Sequence, residues 1–187
     1  MTAHTPTSQS VENTEKRVFF GTDLYNKITE TLYEEAMLLD ELRLEEWAEF
    51  LATDLIYKAP LRLSVQRAEQ YKSIVHSMNH FDEDYSSLMG RIARLTQTQS
   101  AWAEDPPSRT RHFVSNILVW ETDKPNEFAV KSNGLLTRNR FEEDRMQVIS
   151  YVRNDILREV DDKLKLAKRE IVFDMAVLGT QNLSIFL

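Results

Sequence analysis

A chain of 187 residues, 42% hydrophobic and 28% charged, has room for one domain with a sizeable core but not for two ordinary enzyme domains. Its formal charge of −7, with Lys and Arg scattered and no basic stripe, argues against a nucleic-acid partner, and no apolar run approaches the ~20 residues that cross a bilayer. The absence of cysteine excludes disulfides, thiolate catalysis, zinc–thiolate sites and cysteine-ligated iron–sulfur clusters, and it fits a reducing cytoplasm.

The opening MTAHTPTSQSVENTEK has no apolar h-region and no basic n-region, so it reads as a flexible arm and not as a secretory signal. We take the arm as residues 1–20 and a single folded domain as residues 21–187. Leu24, Ile28, Leu32, Ala36 and Leu39 recur at helical spacing behind Thr22 and Asp23, which predicts an amphipathic helix over 23–39. Leu44, Trp47, Phe50 and Leu51 repeat the pattern in a shorter helix. DLIYKAP follows as a short strand stopped by Pro60.

Residues 61–80 are polar and weakly periodic and read as a long connection with at most a partial element. Asp82, Glu83 and Asp84 suit the first turn of a helix whose apolar face is Tyr85, Leu88, Met89, Ile92 and Leu95. Pro106 and Pro107 lack backbone donors, so the next strand begins only after them. From there the pattern is long strands over 109–121, 127–141, 145–160 and 164–175. Their reversals fall at Lys124-Pro125-Asn126, Glu142-Glu143-Asp144 and Asp161-Asp162. Helices first and antiparallel strands after define an α+β fold.

Candidate chemistry is sparse. His76, His80 and Asp84 at spacings of four would line one face of a helix and offer two imidazoles and a carboxylate to iron, but the capping signal at Asp82 conflicts with such a helix. His112 with Asp54 or Asp40 and Tyr57 could carry out acid–base work inside a roll, although a lone His at a strand entrance more often makes structural hydrogen bonds. The four glycines, Gly21, Gly90, Gly134 and Gly179, form no phosphate loop, and Ser108 lacks the small neighbours of a nucleophile elbow. Arg109, Arg111 and His112 cluster at the mouth of a strand and read as structural or subunit-contact groups. Trp47, Trp102 and Trp120 serve as core or interface anchors. Leu183, Ile185, Phe186 and Leu187 make an apolar chain end that should be buried, under its own sheet or in a neighbouring subunit.

Three stretches, LYEEAMLLDELRLEEW at 32–47, WAEDPPSRTRHFVSNILV at 102–119 and NLSIFL at 182–187, resemble the beta (small) subunit of aromatic-ring-hydroxylating dioxygenases of the biphenyl, naphthalene and cumene dioxygenase type. The resemblance runs from about residue 23 to residue 187. It implies a cystatin-like or nuclear-transport-factor-2-like (NTF2-like) roll, with a strongly bent antiparallel sheet packed around N-terminal helices. It also implies a structural, non-catalytic role in an α3β3 hexamer that dihydroxylates an aromatic compound, with alpha subunits and other beta subunits as partners. No cofactor is expected in this chain. The Rieske [2Fe–2S] cluster and the mononuclear Fe(II) would sit in the alpha subunit, and NAD(P)H electrons would arrive through separate ferredoxin and reductase components. On this reading Trp102, Arg109, Arg111, His112, Leu183, Ile185, Phe186 and Leu187 are the candidate subunit-interface residues. A free-standing cofactor-independent isomerase, dehydratase or small-molecule binder of the same roll is the alternative.

Overall fold

Thr22 opens the first helix, α1 (Asp23–Asp40): its backbone is extended and its hydroxyl accepts from the Tyr25 amide at 3.3 Å. Ile28, Leu32, Glu35 and Leu39 form the buried stripe, so one carboxylate rides on an otherwise apolar face. The computed structural model describes residues 16–98, 104–141, 144–179 and 182–187. After a turn at Leu42 (φ 58°), α2 (Leu44–Ala48) buries Trp47 completely. It is shorter than the periodicity predicts, because Leu51 already pairs with Leu166 at the start of β2 (Leu51–Arg62).

Pro60 does not stop β2. The register shifts on both sides of it, so the missing amide falls in a bulge where the ladder needs no donor. A 3-10 turn (Arg67–Lys72) then leads into β3 (Ile74–Asp84), in the stretch that reads as a connection. β3 is an edge strand with only β2 beside it, so most of its side chains meet solvent and no alternation marks it. Asp82 and Glu83 therefore belong to a strand and not to a first helical turn. Only Asp84 caps α3 (Tyr85–Gln97), accepting from the Ser87 amide at 2.8 Å.

β4 (Arg109–Glu121), β5 (Glu127–Asn139), β6 (Gln147–Val160) and β7 (Lys163–Phe173) form an antiparallel meander. β5, β6 and β7 are trimmed by up to two residues against the predicted ranges. The tight reversal at Asp161 and Asp162 is confirmed: both have positive φ (50° and 61°), the geometry of a two-residue turn that matches strand twist, and Val160 faces Lys163 across it. A two-residue β1 (Arg17–Val18), inside the stretch read as an arm, pairs with β4.

The sheet order is β1-β4-β5-β6-β7-β2-β3. One pair departs from the expected all-antiparallel sheet: β2 runs parallel to β7, and everything from β3 to β6 supplies the long crossover such a pair requires. β4 bulges between Ser115 and Leu118, where Asn116 takes φ 53°, and this bulge helps bend the sheet around α1. Among the described residues no helix is long and apolar enough to cross a membrane.

Close approach of a ring to the backbone fixes one glycine. Gly134 on β5 faces Tyr151 on β6, and a Cβ at position 134 would lie 2.2 Å from the Tyr151 ring, which is itself 1% exposed. Gly134→Ala is expected to cost about 2 kcal/mol, because the ring has nowhere to retreat. Thermal unfolding followed by circular dichroism would show it as a Tm lower by several degrees, and an unchanged Tm would mean that the ring can move.

Candidate functional site

The mouth of the roll is assembled by the turn before β4. Ser108 donates its amide to Glu104 at 2.9 Å, and Arg140 reaches the carbonyls of Asp105 and Pro106 at 3.1 and 3.0 Å, so the Pro-Pro turn is tied down on both sides. β4 then carries His112 inward, its side chain only 3% exposed. Asp40, the last residue of α1, lies at the end of a helix where a negative charge is disfavoured. Three donors offset this: the His112 amide (3.1 Å to each oxygen), the His112 Nδ1 (2.6 Å) and the exposed Arg111 guanidinium (3.4 Å).

His112 is committed at both nitrogens. Nδ1 donates to Asp40, and Nε2 lies 3.0 Å from the Phe186 carbonyl, a group that can only accept. Both ring nitrogens therefore face acceptors. A cavity of about 330 Å³ opens beside this pair, walled by Leu39, Leu44, Leu95, Pro107 and Ile185 on its apolar side and lined on its polar side by Glu104, Ser108, Thr110, His112 and Ser184.

Of the residues that acid–base work inside a roll would need, the structure joins only His112 and Asp40. Asp54 lies at the surface in an ion pair with Arg158 at 2.9 Å. Tyr57 is buried and closes on Leu187 from both sides: its hydroxyl donates to the Leu187 oxygen at 2.8 Å and accepts from the Leu187 amide at 2.9 Å. Burial pushes the Tyr57 phenol up to about 12, so it stays protonated.

The His76, His80 and Asp84 spacing does not fall on a helix. His76, His80 and Asp84 lie along a strand: His76 is exposed beside Glu170, His80 stands edge-on to Phe173, and Asp84 caps α3. Burial lowers the His80 pKa, which disfavours the imidazolium there. Among the described residues no group of three or more His, Asp or Glu is placed to hold a metal ion.

The interface candidates separate. Trp102 lies outside the described residues. Arg109 is exposed and donates to the Asn139 side chain and to the Phe141 carbonyl, while Arg111 keeps a side chain that is 67% exposed. Leu183 and Ile185 are half-buried. Phe186 and Leu187 lie inside this chain's own core, Phe186 against Trp47 with ring centroids 4.7 Å apart and beneath the Arg91 guanidinium at 4.5 Å.

Sequence reasoning missed a buried ion cluster. Glu35 from α1, Arg153 and Asp155 from β6, and Arg169 from β7 are all at most 2% exposed. Arg169 clamps Glu35 with both terminal nitrogens (2.5 and 2.9 Å) and Asp155 with Nε and Nη2 (3.0 and 2.8 Å). Arg153 and the Trp47 indole complete the shell of Glu35 at 3.2 Å each. The signal was present: Arg153 and Asp155 share the strand parity of Tyr151 and Leu157, which are core residues.

The comparisons with known proteins agree with this architecture. A family model described as "Ring hydroxylating beta subunit" matches residues 34–180. The chain is 41% identical over 178 residues, 94% of its own length and 97% of the relative's, to a 3-phenylpropionate/cinnamic acid dioxygenase subunit beta of Photorhabdus laumondii subsp. laumondii. Among solved structures it resembles a naphthalene 1,2-dioxygenase with indole bound in the active site, at a TM-score of 0.76 and 24% identity, covering 91% of this chain and 90% of that one. It also resembles the beta subunit of the benzoate 1,2-dioxygenase from Burkholderia mallei, at a TM-score of 0.64 and 18% identity, covering 83% of this chain and 93% of that one. The curved, unclosed sheet with its helices is an NTF2-like roll. This chain belongs to the family of beta subunits of aromatic-ring-hydroxylating dioxygenases.

Proposed function

We propose that the chain is the non-catalytic, structural beta subunit of the terminal oxygenase in a multicomponent Rieske non-haem iron dioxygenase, which cis-dihydroxylates an aromatic compound in the cytoplasm. It holds alpha subunits and other beta subunits in an α3β3 hexamer. The Rieske cluster of one alpha subunit then lies near the Fe(II) of the next, and ferredoxin and reductase components deliver electrons from NAD(P)H. The observation that carries this reading is that four acid–base groups inside the roll are engaged in holding the fold: His112 at both nitrogens, Tyr57 on Leu187, and Glu35 and Asp155 on Arg169. A proton transfer through any of these four would first break a contact that holds the fold.

Co-expression with a matching alpha subunit tests the reading. Native mass spectrometry should find a hexamer. Product analysis on a panel including 3-phenylpropionate and cinnamate, the acids in the name of the Photorhabdus relative, together with naphthalene, biphenyl and benzoate, should find a cis-dihydrodiol. A chain that stays monomeric and never co-elutes with its alpha subunit sinks it.

We assign the exposed start of β4, with Arg109 and Arg111, to the alpha contact. Arg111→Ala should weaken co-purification about tenfold, as loss of an interface arginine does. The Tm should barely move, because the 3.4 Å contact comes from a largely exposed guanidinium and the buried Asp40 carboxylate keeps its bonds to the His112 amide and Nδ1. Assembly at full strength would take Arg111 out of the interface.

One observation favours the second reading, a cofactor-independent isomerase or dehydratase or a small-molecule binder. His112 and Asp40 form a tight pair beside a cavity of drug-fragment size. Turnover or ligand binding by the isolated chain, lost in a folded His112→Ala variant, would establish it, and an inert isolated chain excludes it.

A further inference from the structure

The 182–187 segment is not packed as an ordinary apolar end. Five of its carbonyls and the Leu187 amide meet side chains from five separate elements. Arg138 of β5 donates to the Asn182 carbonyl at 3.2 Å, and Arg91 of α3 donates to those of Leu183 and Ile185 at 3.1 and 3.2 Å. His112 of β4 meets the Phe186 carbonyl, and Arg169 of β7 and Tyr57 of β2 hold Leu187, the arginine donating to its oxygen at 2.9 Å. Two side chains supply the apolar part: Phe186 fills the space between Trp47 and Arg91, and Leu187 is 1% exposed.

Such an arrangement is that of a receptor and its peptide. Most of the contacts are to main-chain groups, which every sequence offers, and the discrimination comes from the aromatic pocket together with the Asn182 and Ser184 side chains, which meet Arg138 and Glu104. The stretch before it differs in kind: residues 174–179 form no helix or strand, and Val177 is 84% exposed. Its own contacts are made at Asp174, which meets Ser150 and Arg62, and at the partly buried side chains of Met175 and Leu178, and neither Ser150 nor Arg62 is among the groups that hold the 182–187 main chain.

We propose that the interior of the roll is a peptide-binding site whose resident ligand is the chain's own 182–187 segment, a short apolar peptide with an aromatic side chain next to its last bound residue. The assignment does not depend on the dioxygenase reading. Its ligand class is set by Trp47, Tyr57, Arg91, His112 and Arg169, with Arg138 gripping the entering end.

The test separates ligand from tether. A protease recognition sequence inserted after Val177 leaves the full chain intact until it is cut. After cutting, native mass spectrometry should find the released fragment still bound to a folded roll. A fluorescent NLSIFL hexapeptide should exchange with it saturably, monitored by anisotropy. Tyr57→Phe, which removes two hydrogen bonds to Leu187, should weaken hexapeptide binding about tenfold or more, and so should replacing the phenylalanine of the peptide by alanine. Departure of the cut fragment from a roll that keeps its circular dichroism overturns the proposal. So does collapse of the roll on cutting, or equal competition by a scrambled hexapeptide.

Discussion

Glu35→Ala should destabilise the folded chain by about 3–5 kcal/mol, which for a domain of this size lowers the Tm by about 10 °C or more. The reason is charge balance in a dry interior. Two guanidiniums, Arg153 and Arg169, face two carboxylates, Glu35 and Asp155, and the four sum to zero where water cannot screen them. Without Glu35, two cations share Asp155. Arg153 already carries one buried nitrogen, Nη2, with no hydrogen-bond partner, so it gains nothing in exchange. Replacing Glu35 and Arg153 together leaves the two-toothed Arg169–Asp155 pair neutral. The double variant Glu35→Ala/Arg153→Met should therefore recover at least about 1 kcal/mol of the single loss, measured by urea unfolding. Additive losses would mean that the two residues do not interact.

The same carboxylate gives the stability a definite acid limb. Burial alone pushes the Glu35 carboxyl up, but the charges of Arg169 and Arg153 and the hydrogen bonds from Arg169 and Trp47 outweigh it and hold the group at about 2 instead of 4.5. A group whose pKa is depressed on folding stabilises the fold above its unfolded pKa. That contribution is complete above pH 4.5 and is lost as the pH falls from there toward 2. Its size is about 3 kcal/mol. A series of Tm values from about pH 6 to about pH 2.5 should fall more steeply for the natural chain than for Glu35→Gln. Parallel curves would mean that Glu35 is not ionised in the fold.

How much of this could be read beforehand depended on how far each residue obeys its surroundings. The α1 stripe Ile28, Leu32 and Leu39 and the strand beginning after Pro107 were legible, because periodicity and a missing amide are local facts. β3 was not legible: an edge strand half in water has no reason to alternate, and Asp82 and Glu83 look like a helix start in either setting. Pro60 misled in the opposite direction, since a bulge created by tertiary pairing absorbed it. Glu35, Arg153, Asp155 and Arg169 were passed over because single charged residues usually lie in solvent. Only their strand and helix parity, together with the fact that they balance, marks them as interior. His112 and Asp40 were named together, but which acceptor meets the second ring nitrogen depends on where the 182–187 segment returns, and no local pattern states that.

Arg138→Met should show what the mouth of the roll contributes. One buried guanidinium there joins three separate pieces of chain. Its Nε donates to Ser108 at 2.8 Å in the turn before β4, and its terminal nitrogens reach Glu104 at 2.6 Å and both oxygens of Asn182 at 3.0 and 3.2 Å. Burial pushes the Glu104 carboxyl up, and the Ser184 and Ser108 hydrogen bonds with the Arg138 charge pull it below the usual carboxylate range. Removing Arg138 leaves that carboxylate in a nearly dry site with only neutral donors. The expected loss is about 3 kcal/mol, the low end for a broken buried pair because Glu104 retains some contact with water. Arg138→Lys should recover only part of it, since an ammonium keeps the charge but cannot reach Ser108, Glu104 and Asn182 in one plane. If the start of β4 is the alpha-subunit contact, Arg138→Met should also weaken co-purification well below its own melting temperature, because the turn that aims Arg109 and Arg111 is no longer anchored. Arg111→Ala would weaken assembly without lowering the Tm and Arg138→Met would do both. An Arg138→Met variant that melts early yet assembles at full strength would show that the contact lies elsewhere on the roll.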